Sequence, residues 1–200
     1  MAEATKLGLL SFQEAIRGGV RPNLFSVNHV WPDGVTAPVI NGNTDSAVQF
    51  MCKSAALPAT NVGTVELPFR GRVVKVPGDR TYETWTGTFY NDDAFEMRAA
   101  YEKWISLTNA ADANLASADV DDIFEDITVS QLDKFGKSDS LKTIRTYRLV
   151  AAWPVSVSQI SVAYDNNDSY EEFDVEFAYQ YHVTEDGANK NLVNADTDPS

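Results

Sequence analysis

The chain has 200 residues, 44 % apolar and 11 % aromatic, which is enough for one cored domain and excludes wholesale disorder. Sixteen basic against twenty-nine acidic residues leave a net charge of −13, the opposite sign to a protein that grips nucleic acid by its phosphates. No run approaches about eighteen consecutive apolar residues, which excludes a membrane-spanning helix, and the single cysteine, Cys52, cannot form an internal disulfide.

The first residues, Met1 to Lys6, lack the basic start and apolar run of a signal peptide, so an intracellular chain is expected. Leu7 to Arg17 has the spacing of a short helix, with Ser11 and Glu14 placed as a capping box and Gly18-Gly19 to end it. Pro22 to Val30 reads as a strand, and Trp31 to Asp45, with its prolines and glycines, as a loop. Ala47 to Ala55 reads as a second strand, Val48, Phe50 and Cys52 alternating with Gln49 and Lys53. A long excursion covers Leu57 to Asp79. Within it Val62–Phe69 and Arg72–Val76 read as a two-stranded ribbon joined by Arg70-Gly71, and Pro77-Gly78-Asp79 as a turn. Arg80 to Tyr90 is a threonine- and aromatic-rich strand with Trp85, Gly87 and Phe89 on one face.

Asn91 to Asn109 is the one long helix expected. Asn91 or Asp92 can cap it, and Ala94, Met97, Tyr101, Trp104, Ile105 and Thr108 form a stripe at helical spacing. Ala110 to Phe124 reads as an acidic loop, Ile127 to Leu132 as a strand and Lys134 to Ser140 as a turn. Leu141 to Ala152 is a strand stopped by Trp153-Pro154, and Val155 to Tyr164 another, before a turn at Asp165-Asn166-Asn167-Asp168. Glu172 to Val183 alternates without a break: Phe173, Val175, Phe177, Tyr179 and Tyr181 against Asp174, Glu176, Ala178, Gln180 and His182. The expected fold is mainly β, an antiparallel sandwich or barrel with one packed α-helix. Residues 1–183 are expected to make one domain, with an acidic insertion at 110–126, and 184–200 are expected to be a polar, flexible tail.

The charge is unevenly spread. Residues 110–139 hold eight acids and two lysines, and residues 165–200 ten acids and one lysine. By difference from −13 the remainder carries +2. Solvated acidic loops explain this; so does a surface built to repel an anion. Catalytic signatures are missing: no phosphate-cradling glycine-lysine loop, no dinucleotide glycine motif, no GxSxG elbow. The two histidines, His29 and His182, offer little to a triad or a zinc site. Cys52 reads as a core residue. The Asp119–Asp122 and Asp165–Asp168 runs lack the glycine and distal glutamate of a calcium loop. Glu171 and Glu172, adjacent on a strand, point to opposite faces and cannot share a proton. No enzyme activity, cofactor or metal is expected.

An ordered set of segments points to a family: Arg21–Val27 (RPNLFSV), Phe50–Pro58 (FMCKSAALP), Pro77–Trp85 (PGDRTYETW), Tyr90-Asn91-Asp92 running into the helix, and Ala152–Val157 (AWPVSV). Together they resemble the tail-tube proteins of contractile-tailed bacteriophages over residues 20–109 and 141–182. The resemblance implies a non-enzymatic virion protein whose hexameric rings stack into a hollow tube inside a sheath. Its partners are itself, the tail sheath protein and a baseplate initiator, while DNA passes through the lumen without specific binding. It also implies that the 57–79 excursion reaches a neighbouring ring. Expected inter-ring contacts are Val62, Val65, Leu67, Phe69, Arg70, Arg72, Val74 and Lys75. An acidic wall would deny phosphates a hold, and Asp174, Glu176 and Gln180, on the wet face of the last strand, are the lumen-facing candidates. Open beside this are a tube protein of a phage-derived injection or secretion system and, in another class, a monomeric ligand-binding β-barrel with an enclosed apolar cavity.

Overall fold

Strict alternation of apolar and polar side chains builds two antiparallel sheets that share one long strand. The computed structural model describes residues 19–39, 47–116, 119–134, 142–165 and 167–186, together with Phe12 and Ile16. One sheet runs β1 (Phe25–His29), β6 (Glu125–Asp133), the first half of β7 (Lys142–Val157) and β9 (Tyr181–Asp186). The other runs from the second half of β7 through β8 (Glu172–Ala178) and β5 (Trp85–Tyr90) to β2 (Cys52–Ala55). The remaining pair, β3 (Asn61–Phe69) and β4 (Arg72–Thr81), is a separate two-stranded ribbon.

The corner between the sheets is made at Ala151, whose φ of 51° lies in the left-handed region that a side chain disfavours. Asp126, on the strand alongside, holds it: its Oδ1 accepts the Ala151 N–H at 3.1 Å, and the β6–β7 register slips between Glu125 and Ile127 at the same level. β8 and β9 turn the corner together with β7, Gln180 N–H donating to the Val150 carbonyl at 3.1 Å between them. β7 therefore passes through Trp153-Pro154, where a stop was expected, and ends at Val157. Pro154 is tolerated because the β7–β8 ladder bulges between it and Ser156, so its missing N–H opens no gap. Residues 158–165 are irregular, which corrects the strand expected over Val155–Tyr164.

The core is aromatic. Trp104, Tyr101, Phe89, Phe173 and Phe177 are fully buried and fill the space between the sheets and the helix, where a ligand-binding barrel would keep a cavity. That helix, α2 (Glu96–Thr108), follows a single-turn α1 (Ala47–Met51), and a single-turn α3 (Val120–Ile123) follows it. Met97, Ala100, Tyr101, Trp104 and Leu107 are its buried face. Asp92 caps it, its carboxylate accepting the Glu96 and Met97 N–H groups at 3.1 and 3.0 Å. The helix begins at Glu96, not Asn91, because Asn91–Phe95 is taken up by this capping turn. Within the expected acidic loop, Ile123 is buried and its carbonyl accepts the Trp104 indole N–H at 2.9 Å.

Two further expectations are corrected. The Ala47–Ala55 strand is α1 followed by β2: one helical turn sends Ala47 and Val48 into the core and leaves Phe50 out. Arg80–Tyr90 is split, β4 ending at Thr81 and β5 beginning at Trp85. Of the expected N-terminal helix, Phe12 and Ile16 are helical and exposed; Ser11 and Glu14 lie outside the described residues, as do 135–140 and Asn166. β9 carries the sheet through Asp186, past the expected start of the tail, and 187–200 lie outside the described residues.

His29 is buried under α2. Its Nδ1–H donates to the Val30 carbonyl at 2.9 Å, so Nε2 accepts the Tyr101 hydroxyl, also at 2.9 Å. Burial lowers its pKa to about 4, the Val30 bond offsetting part of the shift. An unfolded histidine titrates near 6.5, so on acidification the unfolded chain is protonated first and the native state loses ground. The contribution is intact above pH 6.5 and falls by roughly 2 kcal/mol by pH 5, before most carboxylates titrate. Urea titrations at pH 7.5 and 5 should record that loss, and His29→Gln should lack it. An equal loss in the variant would assign it elsewhere.

Candidate assembly surfaces

The ribbon β3–β4 is positioned by a tight turn and a bulge. Phe69 pairs with Arg72 across a two-residue loop in which Arg70 (φ 45°) and Gly71 (φ 80°) are both left-handed. That backbone matches the twist of a hairpin. Lower down, the register slips between Val62 and Thr64, and a Cβ on Gly78 would come within 3.2 Å of the Gly63 backbone. The Pro77-Gly78-Asp79 segment is therefore a bulge inside β4, correcting the expected turn: glycine serves close approach here.

Pairing sorts the ribbon into two faces. Val65 opposes Val76, Leu67 opposes Val74 and Phe69 opposes Arg72 on one; Glu66 opposes Lys75 and Pro68 opposes Val73 on the other. Every residue of both strands is exposed except Gly78, which is half-buried. The apolar face is uncovered: Leu67 is 50 % and Phe69 63 % accessible. Lys75 pairs with Glu66 at 3.2 Å within the ribbon. All eight expected inter-ring residues thus lie together on one projecting element. Its root is tied to the body, Thr60 Oγ1 hydrogen-bonding His182 Nε2 at 3.1 Å, with the imidazole packed among Tyr82, Tyr147 and Tyr179. Burial and the Arg80 charge lower the His182 pKa.

The outer face of the β2-β5-β8-β7 sheet is a ladder of hydroxyls and carboxylates. Thr88 opposes Asp174 and Thr86 opposes Glu176. Thr88 Oγ1 donates to Asp174 Oδ1 at 2.7 Å, Thr84 Oγ1 to Glu176 Oε1 at 2.5 Å, and Ser156 Oγ to Glu176 Oε2 at 3.2 Å. These donors are neutral, so they fix the carboxylates without cancelling their charge. Lys53, on the same sheet, pairs with Glu172. Asp174 and Glu176 therefore share one face. Gln180 stands apart at the β8–β9 corner, exposed.

Other sequence candidates resolve as structure. Burial pushes the Cys52 thiol up to about 12, too high for a nucleophile. Glu171 binds Asn91 Nδ2 at 2.9 Å while Glu172 pairs with Lys53, so the two carboxylates are separated. A groove at the start of α2, beside Met51, Phe95 and Tyr170, was missed by sequence reasoning. Phe95 falls outside the helical stripe, and its isolated apolar identity was the available signal.

A family profile described as phage tail tube protein matches residues 20–185. Tail tube protein gp19 of Enterobacteria phage T4 is 27 % identical over 132 residues, 66 % of this chain and 78 % of that protein. The tail tube protein of Serratia phage KSP90 is 27 % identical over 159 residues, 78 % of this chain and 87 % of that protein. Among solved structures, a chain of the anti-feeding prophage cap aligns with a TM-score of 0.57 at 17 % identity, covering 84 % of this chain and 91 % of that one. A chain of the sheath–tube complex of an extracellular contractile injection system in its extended state aligns with a TM-score of 0.56 at 16 % identity, covering 88 % and 97 %. At those identities the two structures bear on the fold alone.

Proposed function

Because the chain belongs to the phage tail tube protein family, we propose that six copies close into a ring and that rings stack into the hollow inner tube of a contractile tail. The family is a structural one, and its members are components of the virion tail. The observation that carries the ring-stacking reading is the uncovered apolar face of the β3–β4 ribbon. Two strands alone are marginal in water, and a projecting apolar ribbon is stabilised by a second subunit that covers it. Contacts within a ring join unlike surfaces and close by rotation; contacts between rings join a second pair of unlike surfaces and do not close, which yields a filament.

In this reading the sheath encloses the tube, a baseplate surface initiates it in the host cytoplasm, and the genome leaves through the lumen. Asp174 and Glu176 line that lumen, with Gln180 at its margin. Their carboxylates repel phosphate, so DNA slides without a salt-dependent hold. The test is negative-stain electron microscopy of the purified chain at high concentration, with mass by light scattering, alone and with baseplates added. Hollow rings or tubes with six-fold end views are the expected result. A monomer that stays inert on baseplates would overturn the reading.

A further inference from the structure

We propose that the tip of the β3–β4 ribbon of one copy seats in the groove at the start of α2 on a second copy, an apolar contact ringed by Arg–carboxylate pairs. The inference rests on the stacking reading above and names the receiving surface. The groove has a volume of about 780 Å³ and is lined by Met51, Phe95 and Tyr170 together with Asp92, Asp93 and Glu171. Its aromatic content is held outward: Tyr170 is 86 % accessible, and Phe95, half-exposed, sits at φ 57°, a left-handed backbone that an aromatic residue disfavours. The Phe95 backbone closes the capping turn, its N–H donating to the Asp92 carbonyl at 3.1 Å, and that turn leaves the aromatic ring in water with no cover from the subunit's own core.

The tip has the matching chemistry. Phe69 is exposed, with the Arg70 guanidinium carbon 5.4 Å from its ring centroid, and Arg72 is opposite. Arg70 occupies a left-handed turn position where asparagine or glycine is the ordinary residue, so a long cation stands there against backbone preference. The nearest acid on the ribbon, Glu66, is already taken by Lys75. Two arginines with no ion pair among the described residues thus face three carboxylates on the groove. Arginine is suited to this contact because its planar fork pairs with carboxylates while its flat face lies on aromatics.

Topology makes the contact run between copies. The ribbon leaves the body just before β5 and the groove begins at that strand's last residue, Tyr90, so root and receptor lie at opposite ends of one strand. From Val62 to Phe69 the ribbon extends by roughly 25 Å at the usual strand rise. A tip at one end and its receptor at the other form a head-to-tail pair, the kind of contact that runs on from copy to copy when its rotation does not close.

The test uses the full chain. Val73→Cys, beside the tip, is mixed with Asp168→Cys, beside the groove, and treated with a short bismaleimide; Cys52 is buried and does not compete. Exposed Leu115→Cys, beyond the far end of α2, replaces Asp168→Cys as the control. Tip-to-groove docking should raise the cross-linked yield about tenfold over the control, because docking sets a high local concentration. Equal yields would overturn the proposal. Arg70→Glu with Arg72→Glu on the tip chain should abolish the gain, and Asp93→Lys with Glu171→Lys on the groove chain should restore it. Reversals that leave the yield unchanged would also overturn it, leaving another partner to occupy the groove. Tubes that form without the cross-link would sink this contact and spare the stacking reading; a cross-link without tubes would do the reverse.

Discussion

A chain in which residues 63–79 are replaced by a short glycine–serine linker is expected to fold as a subunit and to form no tube. Val62 and Arg80 are paired across the ribbon, so the linker joins neighbouring backbones and closes only a small loop. The excised segment covers no part of the aromatic core. It carries Val65, Leu67, Phe69, Val73 and Val74 in water, all at least 47 % accessible. Its removal should therefore shift folding stability by no more than about 1 kcal/mol, within the range of changes outside a packed core. Elongation should be lost outright, because the apolar face that joins successive rings in the proposed tube is gone. Urea denaturation and negative-stain microscopy of the same preparation read the two effects separately. Normal tubes would remove the ribbon from ring stacking; an unfolded chain would mean that it also supports the monomer.

Asp174→Lys together with Glu176→Lys is expected to leave tubes intact and to stall genome passage. The side chains stand on the outer face of β8 and bond only neutral hydroxyls of Thr88, Thr84 and Ser156, so their exchange costs surface hydrogen bonds and no core contact. In the proposed ring the exchange repeats six times at every level of the tube. Each lysine that meets a phosphate releases a counterion, and the hold steepens with the number of contacts, by roughly 0.9 of a log unit in affinity per contact for each log unit of salt. Ejection kinetics should therefore slow most at low ionic strength and recover as salt is raised. Ejection that is unchanged at low salt would take both residues off the lumen.

How much was legible in the sequence follows from the range of the forces involved. Alternation at Phe173, Val175 and Phe177 and at Trp85, Gly87 and Phe89 identified two buried strand faces, because a pleated strand exposes its partition directly in its period. The Met97–Trp104 stripe identified the helix for the same reason. The ribbon was legible as well, since an Arg-Gly pair between two apolar runs is a local turn signal. At Ala47–Cys52 the local signal misled: alternation and a single helical turn place Val48 and Cys52 equally well, and packing against β1 chose the helix.

Local chemistry thus determined the buried faces of β5 and β8, the long helix, the ribbon and its hairpin turn, the acidic character of the chain and the segments that resemble tail-tube proteins. Only the tertiary structure decided that β7 runs through Pro154 and turns at Ala151, because the Asp126 carboxylate that holds the corner comes from another strand, 25 residues away. It also decided which apolar residues stay in water. Val65 and Val175 are the same kind of residue in the same kind of strand; one is 47 % accessible and the other fully buried. Periodicity assigns a side chain to a face, and what covers that face depends on long-range packing.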